Sequence, residues 1–129
     1  MNKLKGYIAL TGLFTIGVGI PYIFGLFGPT EAEVGTWGNA AIFLGVIILI
    51  LSIFVTIRFF AIVLASVLLI VVLIQIPPTI LWFIFHGHGI SDGTPPSWFT
   101  AHWGFAIPHI FVITAGVWCL LQLYKYRKS

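Results

Sequence analysis

Between Lys5 and Glu31, Glu33 and Arg58, Arg58 and Asp92, and Asp92 and Lys125, this chain contains no charged residue. A helix crosses the roughly 30 Å hydrocarbon core of a bilayer with about 20 apolar residues. Each interval holds such a stretch, and the spacing predicts spans over Tyr7–Phe27, Trp37–Ile57, Phe60–Phe85 and Trp98–Leu123. Hydrophobic residues make up 60% of the chain and charged residues 7%, against about 25% charged in soluble domains. A soluble chain this short has too little interior to hide that much apolar surface. The expected fold class is therefore all-α: an integral membrane four-helix transmembrane bundle, forming a single domain over residues 1–129. The expected location is the cell membrane, as a multi-pass protein. Lys3 and Lys5 before the first apolar run resemble the start of a signal peptide. That run exceeds the usual signal core of about 7–15 residues and lacks a clear small-residue cleavage site, so it is read as a span.

Basic residues in short flanking segments mark the cytoplasmic side. Four spans place both termini and the turn between the second and third span together. That side receives Lys3, Lys5, Arg58, Lys125, Arg127 and Lys128, while Glu31, Glu33 and Asp92 fall on the other. The N-terminus and C-terminus are thus both expected in the cytoplasm. The net charge of +3 reads as a topology signal, and no nucleic-acid partner is expected. Tyr7, Trp37, Trp82, Trp98, Trp103, Tyr124 and Tyr126 lie near the span edges, where aromatic belts form. Cys119 is the single cysteine, so an internal disulfide is excluded.

Arg58 alone separates the second and third spans, which predicts a tight hairpin. Longer connections are expected at Gly28–Thr36 and at Gly87–Ser97, both rich in turn-forming residues. Gly12, Gly17, Gly19 and Gly25 in the first span, with Gly38, Ala41 and Gly45 in the second, read as positions of close helix packing. The format of a short chain with four spans is similar to that of many small membrane families, the DoxX-like group among them. Unrelated functions share that format, so no residue role follows from it.

Chemistry concentrates in the outer half of the third and fourth spans. Pro21, Pro77, Pro78 and Pro108 each lack an amide hydrogen and release a carbonyl four residues earlier, at Gly17, Leu73, Ile74 and Gly104. Gln75, about 15 Å below Phe85, and His109, about 16 Å below Trp98, fall at matching depth on antiparallel helices. Helical spacing puts Gln75, Thr79, Trp82 and His86 on one face of the third span, and His102, Ala106, His109, Ile113 and Gly116 on one face of the fourth. All four histidines lie in this window, and ionisable groups at membrane depth are functional candidates by default.

Three readings are open. Gln75 and His109 form a structural polar pair holding two helices together. Alternatively, the region is a binding site, in which His86, His88, Asp92 and His102 hold zinc or copper, or in which Gln75 and His109 anchor a lipid or quinone. The third is transport, with His109 exchanging a proton; the absence of any carboxylate within the spans argues against it. No catalytic activity of its own is expected, because Ser52 and Ser66 lie away from every histidine while Ser91 and Ser97 lie in a loop. The first functional expectation is an accessory or assembly subunit of a larger membrane complex, respiratory or metal-dependent. The alternative is a ligand-, metal- or quinone-binding or transport protein using the outer-half pocket of Gln75, His86, His102 and His109. Expected partners are membrane lipid and either further copies of the chain in a homo-oligomer or other membrane subunits.

Overall fold

The computed structural model describes residues 2–24, 32–84 and 106–128, with the side chains of 3–23, 36–84 and 106–126. They form four helices, α1 (Asn2–Phe24), α2 (Ala32–Ile53), α3 (Arg58–Phe83) and α4 (Ala106–Lys128). All four are long and apolar enough to cross a membrane. Consecutive helices run antiparallel, α1 lies along α2 and α3 along α4, and contacts of α1 with α4 and α2 with α3 complete the bundle. Lys3, Lys5, Arg58 and Lys125 gather at one end, the basic end. Tyr22, Trp37, Trp82 and Ala106 gather at the other, called here the proline end.

The bundle is apolar on both its inner and outer surfaces. Ile8, Ile48, Leu64, Leu68 and Val112 fill the interior, while Leu13, Phe43, Phe59, Leu73 and Phe83 each keep more than half of their surface exposed. A helix in water hides one apolar stripe; helices that are apolar all round suit apolar surroundings.

The hairpin at Arg58 forms, with boundaries displaced from the expected ones. α2 stops at Ile53, four residues short of Ile57. Phe54 N–H donates to the Leu51 carbonyl and Ile57 N–H to the Phe54 carbonyl, both at 3.0 Å. Ile57 is extended at φ −88°, ψ 121° and precedes the first residue of α3, Arg58. No glycine or proline marks this turn; it sets the Arg58 guanidinium at the end of the bundle, where a charge is least costly. α4 is described from Ala106, and residues 98–105 of the expected span lie outside the described residues.

The α1–α2 contact is made by glycine. Gly12 faces Gly45 and Gly19 faces Gly38, each pair separated from the next by seven residues on both helices. A Cβ added at Gly12 would lie 2.9 Å from the Gly45 carbonyl oxygen, and one at Gly19 would lie 2.7 Å from that of Gly38. The contact is reciprocal: a Cβ at Gly38 or Gly45 would come within 2.8 or 2.7 Å of the Gly19 or Gly12 carbonyl oxygen. The obstacle in each case is backbone, which yields only if the helices separate. Gly17 differs, since nothing lies within 4 Å of a Cβ built there. Gly25 lies outside the described residues.

Gly19→Ala or Gly38→Ala is therefore expected to lower stability by about 1–3 kcal/mol through overpacking. Gly17→Ala should leave stability unchanged or slightly higher, since alanine favours the helix. Thermal unfolding of the three variants in one detergent checks this, and equal midpoints would contradict a close-packed glycine seam.

Candidate functional site

His109 is the point where all four helices meet. Its Nδ1 lies 2.6 Å from Gln75 Oε1 on α3, and its Nε2 lies 2.5 Å from the Tyr22 hydroxyl on α1. The amide oxygen can only accept, so His109 Nδ1–H donates to it. The neutral ring then accepts at Nε2 from the Tyr22 hydroxyl. Tyr22 Oη in turn accepts from Trp82 Nε1–H at 2.8 Å. Trp37 of α2 sets its ring edge-to-face against His109 and Tyr22, with centroids 5.4 and 4.9 Å away. Gln75, Trp82, His109 and Tyr22 are all buried. Among the described residues, Gln75 Nε2 is a buried side-chain donor with no partner.

Backbone chemistry explains the place of Trp37. Pro78 has no amide hydrogen to give to the Ile74 carbonyl; Trp37 Nε1–H donates to that oxygen instead, at 3.0 Å. A side chain of α2 thus replaces a missing bond of α3. Pro21 likewise leaves the Gly17 carbonyl without the amide hydrogen four residues on. Pro108 falls in the first described turn of α4; Gly104, whose carbonyl was expected to be released, lies outside the described residues. Measured from the described helix ends, Tyr22 is two residues from the end of α1 and His109 three residues into α4. Gln75 is the deepest member, eight residues or about 12 Å from the end of α3. The network therefore closes the proline end of the bundle.

At the level of His109 a cavity of about 440 Å³ opens between α1 and α4. Gly17, Val18, Pro21 and Tyr22 form one side and Pro108, His109 and Phe111 the other. Among the described residues, Tyr22 and His109 are its only polar lining side chains, and the hydroxyl and both ring nitrogens are already engaged within the bundle. The cavity therefore offers an occupant aromatic faces and aliphatic surface. Below it the α1–α4 seam is crossed by the edge-to-face pair Phe14–Phe111, with centroids 4.8 Å apart. Cys119 Sγ follows, 3.3 Å from Thr11 Oγ1; the threonine hydrogen goes to the Tyr7 carbonyl at 2.9 Å, so the thiol is the donor. A second edge-to-face pair, Tyr7–Trp118 at 4.7 Å, crosses the seam near the basic end.

The structure brings together Gln75 and His109, and places Thr79, Trp82, Ala106, Ile113 and Gly116 on the helix faces that spacing predicts. His86, His88, Asp92 and His102 lie outside the described residues. Among the described residues, no group of three His, Cys, Asp or Glu side chains is placed to hold a metal ion. The cavity that reaches His109 lies between α1 and α4, whereas the expected pocket was between the third and fourth spans. There, Gln75 and His109 are in direct contact and the Val72 side chain packs on Gly116. Trp37 and Trp82 turn their indole N–H groups inward, to the Ile74 carbonyl and the Tyr22 hydroxyl. Tyr22 was missed by sequence reasoning, although it shares a helical face with Thr11, Gly12, Thr15 and Gly19, a row of small and polar residues inside an apolar span. The sequence Gly89-Ile90-Ser91-Asp92-Gly93 also matches the Gly-x-Ser-x-Gly spacing. That motif works at a strand-to-helix turn; residues 89–93 lie outside the described residues. No protein-family model, curated protein or solved structure matches this chain.

Tyr22→Phe leaves Trp82 Nε1–H and His109 Nε2 without the hydroxyl between them. It is expected to destabilise by about 1–3 kcal/mol, the cost of buried groups losing a partner. For the other bond, Gln75→Leu and His109→Leu together should cost less than the sum of the two single variants, with a coupling of about 0.6–2 kcal/mol. A double-mutant cycle of unfolding free energies measures it, and strict additivity would count against the bond.

Proposed function

We propose that this chain is a four-span integral membrane protein, with both termini on the cytoplasmic side, that holds a lipid-soluble molecule without acting on it chemically. The observation that carries this reading is the 440 Å³ cavity between α1 and α4, bounded by apolar and aromatic side chains. Its size falls within the range of small-molecule sites, about 300–1,000 Å³. The membrane assignment is supported by the four long apolar helices and by the exposure of large apolar side chains around the bundle. The orientation is supported by the basic end, since lysine and arginine near span ends favour the cytoplasm.

The engaged state of the polar wall limits the ligand class. A quinone head would have to compete with Gln75 for His109 Nδ1, or with Tyr22 for Nε2. An acyl or isoprenoid chain needs no such exchange and fits a wall of rings and methyl groups. The same engagement supports a binding role over proton transfer, because each ring nitrogen already has a partner inside the protein.

Gly17 provides a direct test, because it lines the cavity and a Cβ built there meets nothing within 4 Å. Wild-type protein, purified in a mild neutral detergent and examined by native mass spectrometry, is expected to carry a bound lipid through washing. Gly17→Leu is expected to lose it while keeping its thermal midpoint. Retention of the same lipid by Gly17→Leu would reject the cavity as its site. A second polypeptide retained in place of lipid would instead favour the accessory-subunit expectation, with a partner helix lying along α1 and α4.

A further inference from the structure

At the basic end of the same seam, Lys3 of α1 and Lys125 of α4 line one cavity of about 540 Å³, together with Gln122, Tyr7 and Trp118. The two lysines are 122 residues apart in sequence and are brought together by the antiparallel packing of the first and last helices. No aspartate or glutamate is near them in sequence. The chain has three acidic residues, Glu31, Glu33 and Asp92, all far in sequence from Lys3 and Lys125. Among the described residues, these two cations therefore share a cavity that no carboxylate side chain lines.

An apolar cavity lies on the other side of the Tyr7–Trp118 pair. Tyr7 and Trp118 also line a second space of about 260 Å³, which continues along the seam past Thr11 and Ala115 to Phe14 and Phe111. From Lys3 to Phe14 is eleven residues, or about 17 Å of helix, close to the roughly 15 Å half-thickness of a hydrocarbon core. A cationic mouth, an aromatic collar and an apolar space succeed one another in that order and together measure about one leaflet.

We infer that this end of the seam binds one anionic glycerophospholipid, its phosphate between Lys3 and Lys125 and one acyl chain running along α1 and α4 toward Phe14–Phe111. The inference rests on the membrane-inserted reading given above, and it does not require the cavity at His109 to be filled. Gln122 adds an amide donor to the headgroup site, and Tyr7 and Trp118 cover the first part of the chain. Charge complementarity selects the occupant: a zwitterionic lipid brings its own cation, whereas an anionic one brings net charge opposite to the two lysines.

Delipidated full-length protein in a neutral detergent is titrated with dioleoylphosphatidylglycerol or dioleoylphosphatidylcholine and the bound fraction read by native mass spectrometry. The anionic lipid is expected to bind about 25-fold more tightly, from about 1 kcal/mol for each lysine near its headgroup. Lys3→Gln and Lys125→Gln should each weaken it about fivefold on the same scale and leave phosphatidylcholine unaffected. Lys5→Gln and Arg58→Gln remove the same charge from the same end without lining the cavity, and should change little. Ala115→Phe should weaken both lipids by filling the chain channel. Equal losses in all four charge variants, no preference for the anionic lipid, or indifference to Ala115→Phe would each overturn the inference. Failure of the protein to insert into vesicles of the two lipids would overturn the membrane reading itself. Gly17→Leu should leave this binding unchanged, which separates it from the cavity at His109.

Discussion

An imidazole has two nitrogens, and at His109 both are bonded inside the protein. One bond reaches α3 through Gln75 and the other reaches α1 through Tyr22, so a single ring on α4 fixes the mutual height and rotation of three helices. Apolar packing is weakly directional and tolerates small slides between helices. A hydrogen bond of 2.5–2.6 Å on each side of a planar ring does not. The bond from Trp82 to Tyr22 extends the constraint, and the aromatic face of Trp37 encloses it from α2. In apolar surroundings no water is at hand to replace a lost partner, so the arrangement is held by the cost of every alternative to it.

The backbone follows the same rule. Pro78 removes a helical hydrogen bond from α3, and the Trp37 indole supplies the missing donor to the Ile74 carbonyl. The proline interruption thus becomes a point of attachment between α2 and α3. Thr11, Thr15, Ser66 and Thr114 return their hydroxyl hydrogens to carbonyls one turn earlier on their own helices. These hydroxyls are satisfied locally and add little specificity between helices. Among the described residues, the side-chain hydrogen bonds of Tyr22, Trp37, Gln75, Trp82 and His109 link helices at the proline end, and Thr11–Cys119 is a weaker link in the middle.

Much of this arrangement is legible in the sequence, for identifiable reasons. Charge spacing reveals the four helices because a lysine or glutamate is costly inside an apolar slab. Depth counting pairs Gln75 with His109 because helical rise is nearly constant. Glycine spacing locates the α1–α2 contact because only a missing side chain permits that approach. Tyr22 escaped because a tyrosine near a span edge has an ordinary explanation at the interface, and its inward rotation depends on a face shared with residues as small as Gly19. The end of α2 escaped because Phe54, Val55, Thr56 and Ile57 carry no turn signal; a single charge, four residues on, sets the limit. The seam cavities escaped for a different reason: a void is a property of how two surfaces fail to meet, and neither helix encodes it alone.

The seams of the bundle are unequal. Along α1–α2, backbone meets backbone at Gly12, Gly19, Gly38 and Gly45, leaving no freedom to approach further and little to gain by parting. Along α1–α4, aromatic pairs stand at intervals with spaces between them, so the same helix has one rigid neighbour and one spaced neighbour. In mechanical terms α1 and α2 form a beam, and α4 is braced against it at His109, at Phe111 and at Trp118. Pressing α4 toward α1 would close the spaces between those rings, whereas pressing α2 toward α1 would meet backbone at once. The rings that cross that seam then set how far α4 stands from the beam.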